Sequence, residues 1–109
     1  MLTNTACAAR VITWANRMVD DTAKEVMMAA CDVTGYRGAE KEWDDRHPND
    51  GVGGWSTNPY ALALKRAQER KEQGETRYND ARAIRDFIVK QVCATFAIET
   101  SSLPRPDAL

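Results

Sequence analysis

Tyr78, Ala81, Ile84, Ile88, Val92 and Thr95 recur at three- and four-residue steps, the period of an α-helix that buries one face. Phe87, Gln91 and Phe96 widen that stripe. A face of this kind must be covered, by another helix of the chain or by another chain. The same period recurs near the start, in Val11, Trp14, Ala15, Met18, Val19, Val26, Ala29 and Ala30. Arg10, Asn16, Arg17, Asp20, Asp21 and Lys24 mostly fill the other face there. Thr3, Asn4 and Thr5 offer N-caps. Thr22-Ala23-Lys24-Glu25 has the form of a capping box, which would open a second helix. No strong breaker lies between Val19 and Thr22, so one helix from about Thr5 to Thr34 is expected, with a bend allowed near Asp20. Gly35 is expected to stop it, with Tyr36, Arg37 and Gly38 in the turn. Residues 39–46 then read as a short helix with Trp43 inward, and Pro48 blocks its continuation.

The segment from Asn49 to Gly54 holds three glycines in six residues and reads as a loop. Asn58 suits an N-cap and Pro59 the first helical position, where a missing N–H costs nothing. From Lys65 to Arg77 nearly every residue is charged or amide, apart from Ala67 and Gly74. A helix polar all round has no face to bury, so this stretch is expected to project, bridge or turn. As one straight helix, residues 59–98 would span about 60 Å, against a radius of gyration of about 13 Å for a compact domain of this length. Either Gly74 breaks the stretch into an antiparallel hairpin, or a long helix projects and another chain covers it. A glycine after Gln73 suits a helix C-terminus, which favours the hairpin. After Ile98 the sequence carries two prolines and no period, so residues 99–109 read as an extended or disordered tail. The expected fold is all-α. It is a small helical bundle with a long N-terminal helix and a C-terminal helical hairpin or long helix. A glycine-rich loop over 35–58 joins them within a single domain of residues 1–98.

The 109 residues fit one domain. A hydrophobic fraction of 43% and a charged fraction of 28% describe a globular chain with no surplus of apolar residues. The net charge of −1 excludes a general electrostatic attraction to nucleic acid or anionic lipid. Cys7, Cys31 and Cys93 are odd in number and far apart, which argues against a disulfide framework or zinc site and fits a reducing, cytoplasmic setting. No secretory signal is visible, and no stretch approaches the roughly 18 apolar residues of a spanning helix.

Four features bear on function. Asp44, Asp45, His47 and Asp50 form an acidic turn around the one histidine. His47 could act as an acid or base oriented by Asp44 or Asp45, and the carboxylates could hold a hard cation. The spacing matches no EF-hand, and a solvated turn before Pro48 is the expectation. Gly51-Val52-Gly53-Gly54 precedes a helix start but has no Walker lysine and no preceding strand, so it reads as a connector, not a phosphate loop. Lys65, Arg66, Arg70, Lys71, Arg77, Arg82, Arg85 and Lys90 form a basic run, with Arg66, Arg70 and Arg77 on one face. Glu69, Glu72, Glu75, Asp80 and Asp86 are interleaved, which marks a solvated face and cancels most attraction to a phosphate backbone. Trp14, Trp43 and Trp55 are the tryptophans; Trp55, off any helical stripe, reads equally as a binding anchor or as a staple on the following helix. The cysteines lie on or near apolar faces and read as small buried hydrophobes.

With no catalytic motif present, no enzyme activity, cofactor or metal is expected. The leading expectation is a non-catalytic binding protein that docks on another protein. It would be a regulator or inhibitor, for example one encoded by a phage or mobile element. Trp55, Phe87 and Phe96, with Arg66, Arg70 and Arg77, are its candidate surface. The width of the last stripe predicts a homodimer, twofold pairing being the commonest closed assembly. The alternatives are a nucleic-acid-associated protein using the basic face of residues 65–90, and an enzyme or metal-binding domain built on the Asp44–Asp50 turn. Membrane association is not expected.

Overall fold

A computed structural model describes residues 3–47 and 58–108. Two helices, α1 (Asn4–Arg46) and α2 (Tyr60–Phe96), are followed by a single 3-10 turn at Thr100–Ser102. The described residues include no strand, and the architecture is an all-α two-helix bundle. No helix among them is long and apolar enough to cross a membrane.

Each helix begins at a side-chain cap. Thr3 Oγ1 accepts the Ala6 N–H (3.1 Å), and Asn58 Oδ1 accepts the Tyr60 N–H (2.9 Å). These bonds satisfy donors that the first helical turn leaves unpaired. The Asn58 amide also donates to the Glu40 carbonyl (2.8 Å) and the Asp44 carboxylate (3.0 Å), tying the start of α2 to the end of α1. Thr22 opens no second helix. Its hydroxyl donates back to the Met18 and Val19 carbonyls within an unbroken α1.

Two expected breaks are absent. Gly35 and Gly38 lie inside α1, so the turn and the separate helix over 39–46 are replaced by one continuous helix. A mid-helix glycine costs about 1 kcal/mol relative to alanine. Val33 and Tyr36 bracket Gly35 and pack with Leu64 and Ala67, and that packing outweighs the cost. Gly74 likewise lies inside α2, which runs as one long helix and not as a hairpin. Its role is steric. A Cβ at Gly74 would stand 3.2 Å from Val26 Cγ2 and 3.7 Å from the Val26 backbone. The glycine is where α2 comes against the α1 backbone, not where it stops.

Burial explains the polar stretch. Along α1, Ala8, Ile12, Ala15, Val19, Ala29 and Val33 are buried, and Thr22, Val26 and Tyr36 are partly buried at the intervening positions. Along α2, Leu64, Ala67, Gly74 and Ala81 are buried and Lys71, Tyr78, Arg85, Ile88 and Val92 partly so. Both lines step by alternating threes and fours, the seam of paired helices. On α2 the seam is one residue wide and includes Ala67 and Gly74, so a helix otherwise charged all round still buries a face. The final stripe is rotated from its expected position. Ile84, Phe87 and Thr95 are exposed, while Arg85 and Val89 turn inward.

The chain forms two compact units, Met1–Lys24 with Glu75–Leu109, and Glu25–Gly74. In each, a piece of α1 runs antiparallel to a piece of α2. The first unit is centred on Ala8, Ile12, Val89 and Leu103, with Ile88, Val92, Cys93, Phe96 and Ile98 against them. The second is centred on Val33, Leu64 and Ala67, with Tyr36 against them.

At its end α2 reverses through Ala97, whose φ is 53°, and the Ile98 N–H reaches the Cys93 carbonyl (3.2 Å). This is a left-handed helix cap, a conformation that favours glycine. It sends the C-terminal segment back along the first unit.

Candidate functional site

In the first unit, the inward lines are Ala8, Ile12, Ala15 and Val19 on α1 and Ala81, Arg85, Ile88 and Val92 on α2. Helical geometry places Asn16 and Asp20 to one side of the first line, and Val89 and Cys93 to the same side of the second. The C-terminal segment lies on that flank. Leu103 is buried with Ala8, Ile12 and Val89. The Pro104 carbonyl accepts hydrogen bonds from Asn16 Nδ2 (3.0 Å) and Arg85 Nη2 (3.4 Å). The Asp20 carboxylate accepts the backbone N–H groups of Asp107 (3.3 Å) and Ala108 (2.9 Å). Arg85 also donates through Nε to Asn16 Oδ1 (2.9 Å) and through Nη1 to Asp86 (3.2 Å). Arg85 therefore does not belong to an open basic face: its side chain is largely buried, and its charge is met by the Pro104 carbonyl, the Asn16 amide oxygen and the Asp86 carboxylate.

The opposite flank carries Val11, Trp14 and Met18 from α1 and Ile84, Phe87 and Gln91 from α2. Among the described residues nothing covers it. Val11 is 45% exposed, Ile84 46%, Trp14 58% and Phe87 63%. With aromatic side chains offering 150–250 Å² each, these four present on the order of 400 Å² of apolar surface, within the range of the largest patch on an ordinary monomer, which is often functional. The second unit also exposes Met27, Met28 and Leu62, but its equivalent flank carries the ion pair between Arg70 and Asp32 (3.4 Å).

The other candidate residues fall in different places. Phe96 is not on the open flank; it is partly buried against the first core. Trp55 and Asp50, with the glycine loop and Pro48, lie outside the described residues. Asp44 and Asp45 are exposed on the last turn of α1, and His47 follows it. His47 Nδ1 lies 2.8 Å from the Trp43 carbonyl, and its ring stacks on Trp43 with centroids 4.3 Å apart at 22°. Trp43 is therefore half-buried under a histidine, not in a core. A small open pocket beside them is lined by Ala39, Glu42, Trp43, Arg46, His47 and Tyr60. No three His, Cys, Asp or Glu side chains among the described residues are grouped to hold a metal ion. Arg66 and Arg70 are exposed on the second unit and Arg77 on the first. Cys31 is exposed, contrary to the expectation of a buried thiol, while Cys7 and Cys93 are partly buried.

Sequence periodicity does not reveal the open flank, because Val11, Trp14 and Ile84 sit one step beside the inward line and share its period. It missed the carbonyl clamp because the signal is inverse: a polar residue at an apolar position, Arg85 between Ala81 and Ile88. No protein-family model matches the chain, and no characterised protein or solved structure is significantly similar to it.

Proposed function

We propose that this chain is a non-catalytic docking protein that acts through protein–protein contact, and that a second copy of the chain is one partner of its open flank. A single observation carries the reading. Val11, Trp14, Ile84 and Phe87 stand half exposed on one flank of the first unit, while the other flank is sealed by the chain's own C-terminal segment. Two such flanks face to face would remove about 800 Å² of apolar surface from water, a gross gain of about 20 kcal/mol at 25 cal/mol per Å². Against that gross gain stand about 4–15 kcal/mol for lost translational and rotational freedom, with side-chain ordering and polar desolvation in addition, so only the surplus drives pairing. The flank supplies about half of the roughly 800 Å² per partner that a stable interface needs. A regulator or inhibitor works in the same way, by occupying a surface on its target.

Sedimentation at micromolar concentration tests this. The chain is expected at about twice its 12.2 kDa, and the double variant Trp14→Ser, Phe87→Ser at the single mass with its helical circular dichroism intact. A single mass for the unmodified chain at every concentration refutes self-association. Undiminished pairing of the double variant refutes this flank as the surface.

A further inference from the structure

Asn16 is only 5% exposed and the Arg85 side chain 12% exposed, and both stand beside or within a seam that is otherwise mostly apolar. Buried polar groups are costly unless paired. These two donate together to one backbone carbonyl, that of Pro104. Asp20 supplies the complementary element, a carboxylate that receives two successive backbone N–H groups. The polar contacts thus recognise the main chain of an extended segment. Side-chain selection comes from two enclosed positions, Leu103 and Pro106, while Arg105 between them is exposed. Prolines keep such a segment extended before it docks, so little freedom is lost on binding. The segment contributes no strand or helix hydrogen bonds to the groove, and it reaches the groove through the left-handed Ala97. Without an occupant, the groove would leave Asn16 Nδ2 and an Arg85 donor without this acceptor and uncover Ala8, Ile12 and Val89.

We infer that this groove is a recognition site for extended Leu-Pro-x-Pro segments of a partner protein, filled in the isolated chain by its own Leu103-Pro104-Arg105-Pro106. The inference concerns the flank opposite the apolar patch and does not rest on the docking role proposed for that patch. The chain's own segment shows the chemistry the groove accepts: a leucine, a carbonyl presented to two donors, a free position, a second proline, then two N–H groups for a carboxylate. A partner segment enters by displacing the resident copy, whose tethered effective concentration is on the order of millimolar.

The test is fluorescence anisotropy with a labelled peptide of residues 99–108. It is titrated into the full chain and into two full-length variants with substitutions in the resident segment, Leu103→Ser and Pro106→Asp. The second keeps Leu103 in the core, so one variant remains usable if the first loses its helical circular dichroism. Either folded variant is expected to bind the peptide at least about tenfold more tightly than the unmodified chain, because the tethered competitor is weakened. A peptide with Arg105→Ala should bind within about twofold of the parent, and one with Leu103→Ser at least about tenfold more weakly, as expected for an anchor in a pocket. Adding Asn16→Leu to the folded variant should abolish binding. No saturable binding to a folded variant, or equal binding of the Leu103→Ser peptide, overturns the inference. Neither outcome bears on sedimentation of the apolar flank.

Discussion

The three helical glycines should respond to alanine in opposite directions, although each is the same chemical change. A Cβ at Gly35 or Gly38 meets no atom within 4 Å. Only the intrinsic preference acts there, and each substitution should stabilise the chain by about 0.8–1.0 kcal/mol. At Gly74 the same gain is offset by the Val26 methyl at 3.2 Å. Valine in a helix has one strongly preferred χ1, so relief requires moving the helix or accepting a poor rotamer, an overpacking cost of about 1–3 kcal/mol. Gly74→Ala should therefore be neutral or destabilising by up to about 2 kcal/mol. In a Val26→Ala background the clash is gone and Gly74→Ala should stabilise by about 1 kcal/mol, a coupling of about 1–3 kcal/mol across the pair. Urea denaturation at constant m-value measures all four corners of the cycle. If Gly74→Ala stabilises the parent as much as Gly35→Ala does, close approach to Val26 is not why this position carries glycine.

Ala97→Gly should stabilise the chain by about 0.5–1 kcal/mol, since glycine relieves the left-handed strain and returns part of that gain as unfolded-state entropy; a loss of stability in urea melts would show the cap to be formed differently. Asn16→Ala should destabilise by about 1–3 kcal/mol, because the Arg85 Nε donor and the Pro104 carbonyl each lose a partner inside the first unit, and hydrogen exchange at the Asp107 and Ala108 amides should accelerate with it. His47→Ala removes a ring that stacks on Trp43 at an exposed helix end and should change stability by no more than about 0.5 kcal/mol. A large loss of function in that folded variant would instead place activity in the acidic turn.

The helical class was legible because periodicity is a local signal, and both caps were legible because Thr3, and Asn58 before Pro59, announce themselves in sequence. Continuity was not. Whether a glycine ends a helix or admits a neighbouring helix depends on what stands opposite, and Val26 is 48 positions from Gly74 in the chain. The phase of a stripe was equally hidden. Shifting the inward line by one position exchanges Ile84 for Arg85, and hydrophobicity favours the wrong choice. Arg85 points inward because Asn16 and the Pro104 carbonyl pair with it, partners at 69 and 19 positions' distance. Residues 99–109 carry no period, and their contacts with Asn16 and Asp20 span 87 or 88 positions. Of the candidate surface, Phe87 was identifiable as an apolar residue flanking the stripe. Trp14 was not, because on sequence alone it belongs to the first helix's core.

The spacing of these contacts also sets an order of assembly. Within the second unit, the Asn58 and Arg70 contacts join residues 14, 18 and 38 positions apart; in the first unit, the bonds that tie Asn16 and Asp20 of α1 to α2 and the C-terminal segment join residues 69 to 88 apart. Each doubling of a closed loop costs about 0.6 kcal/mol of chain entropy, so the ends meet most readily after the middle has closed. The chain should zip from Asn58 outward. Truncations at Val33 or Leu64 should then slow folding, while truncations at Ile12, Val89 or Leu103 should chiefly hasten unfolding. On that route the C-terminal segment arrives last and departs first, and its residence time on the groove is set by local opening and not by the lifetime of the native state.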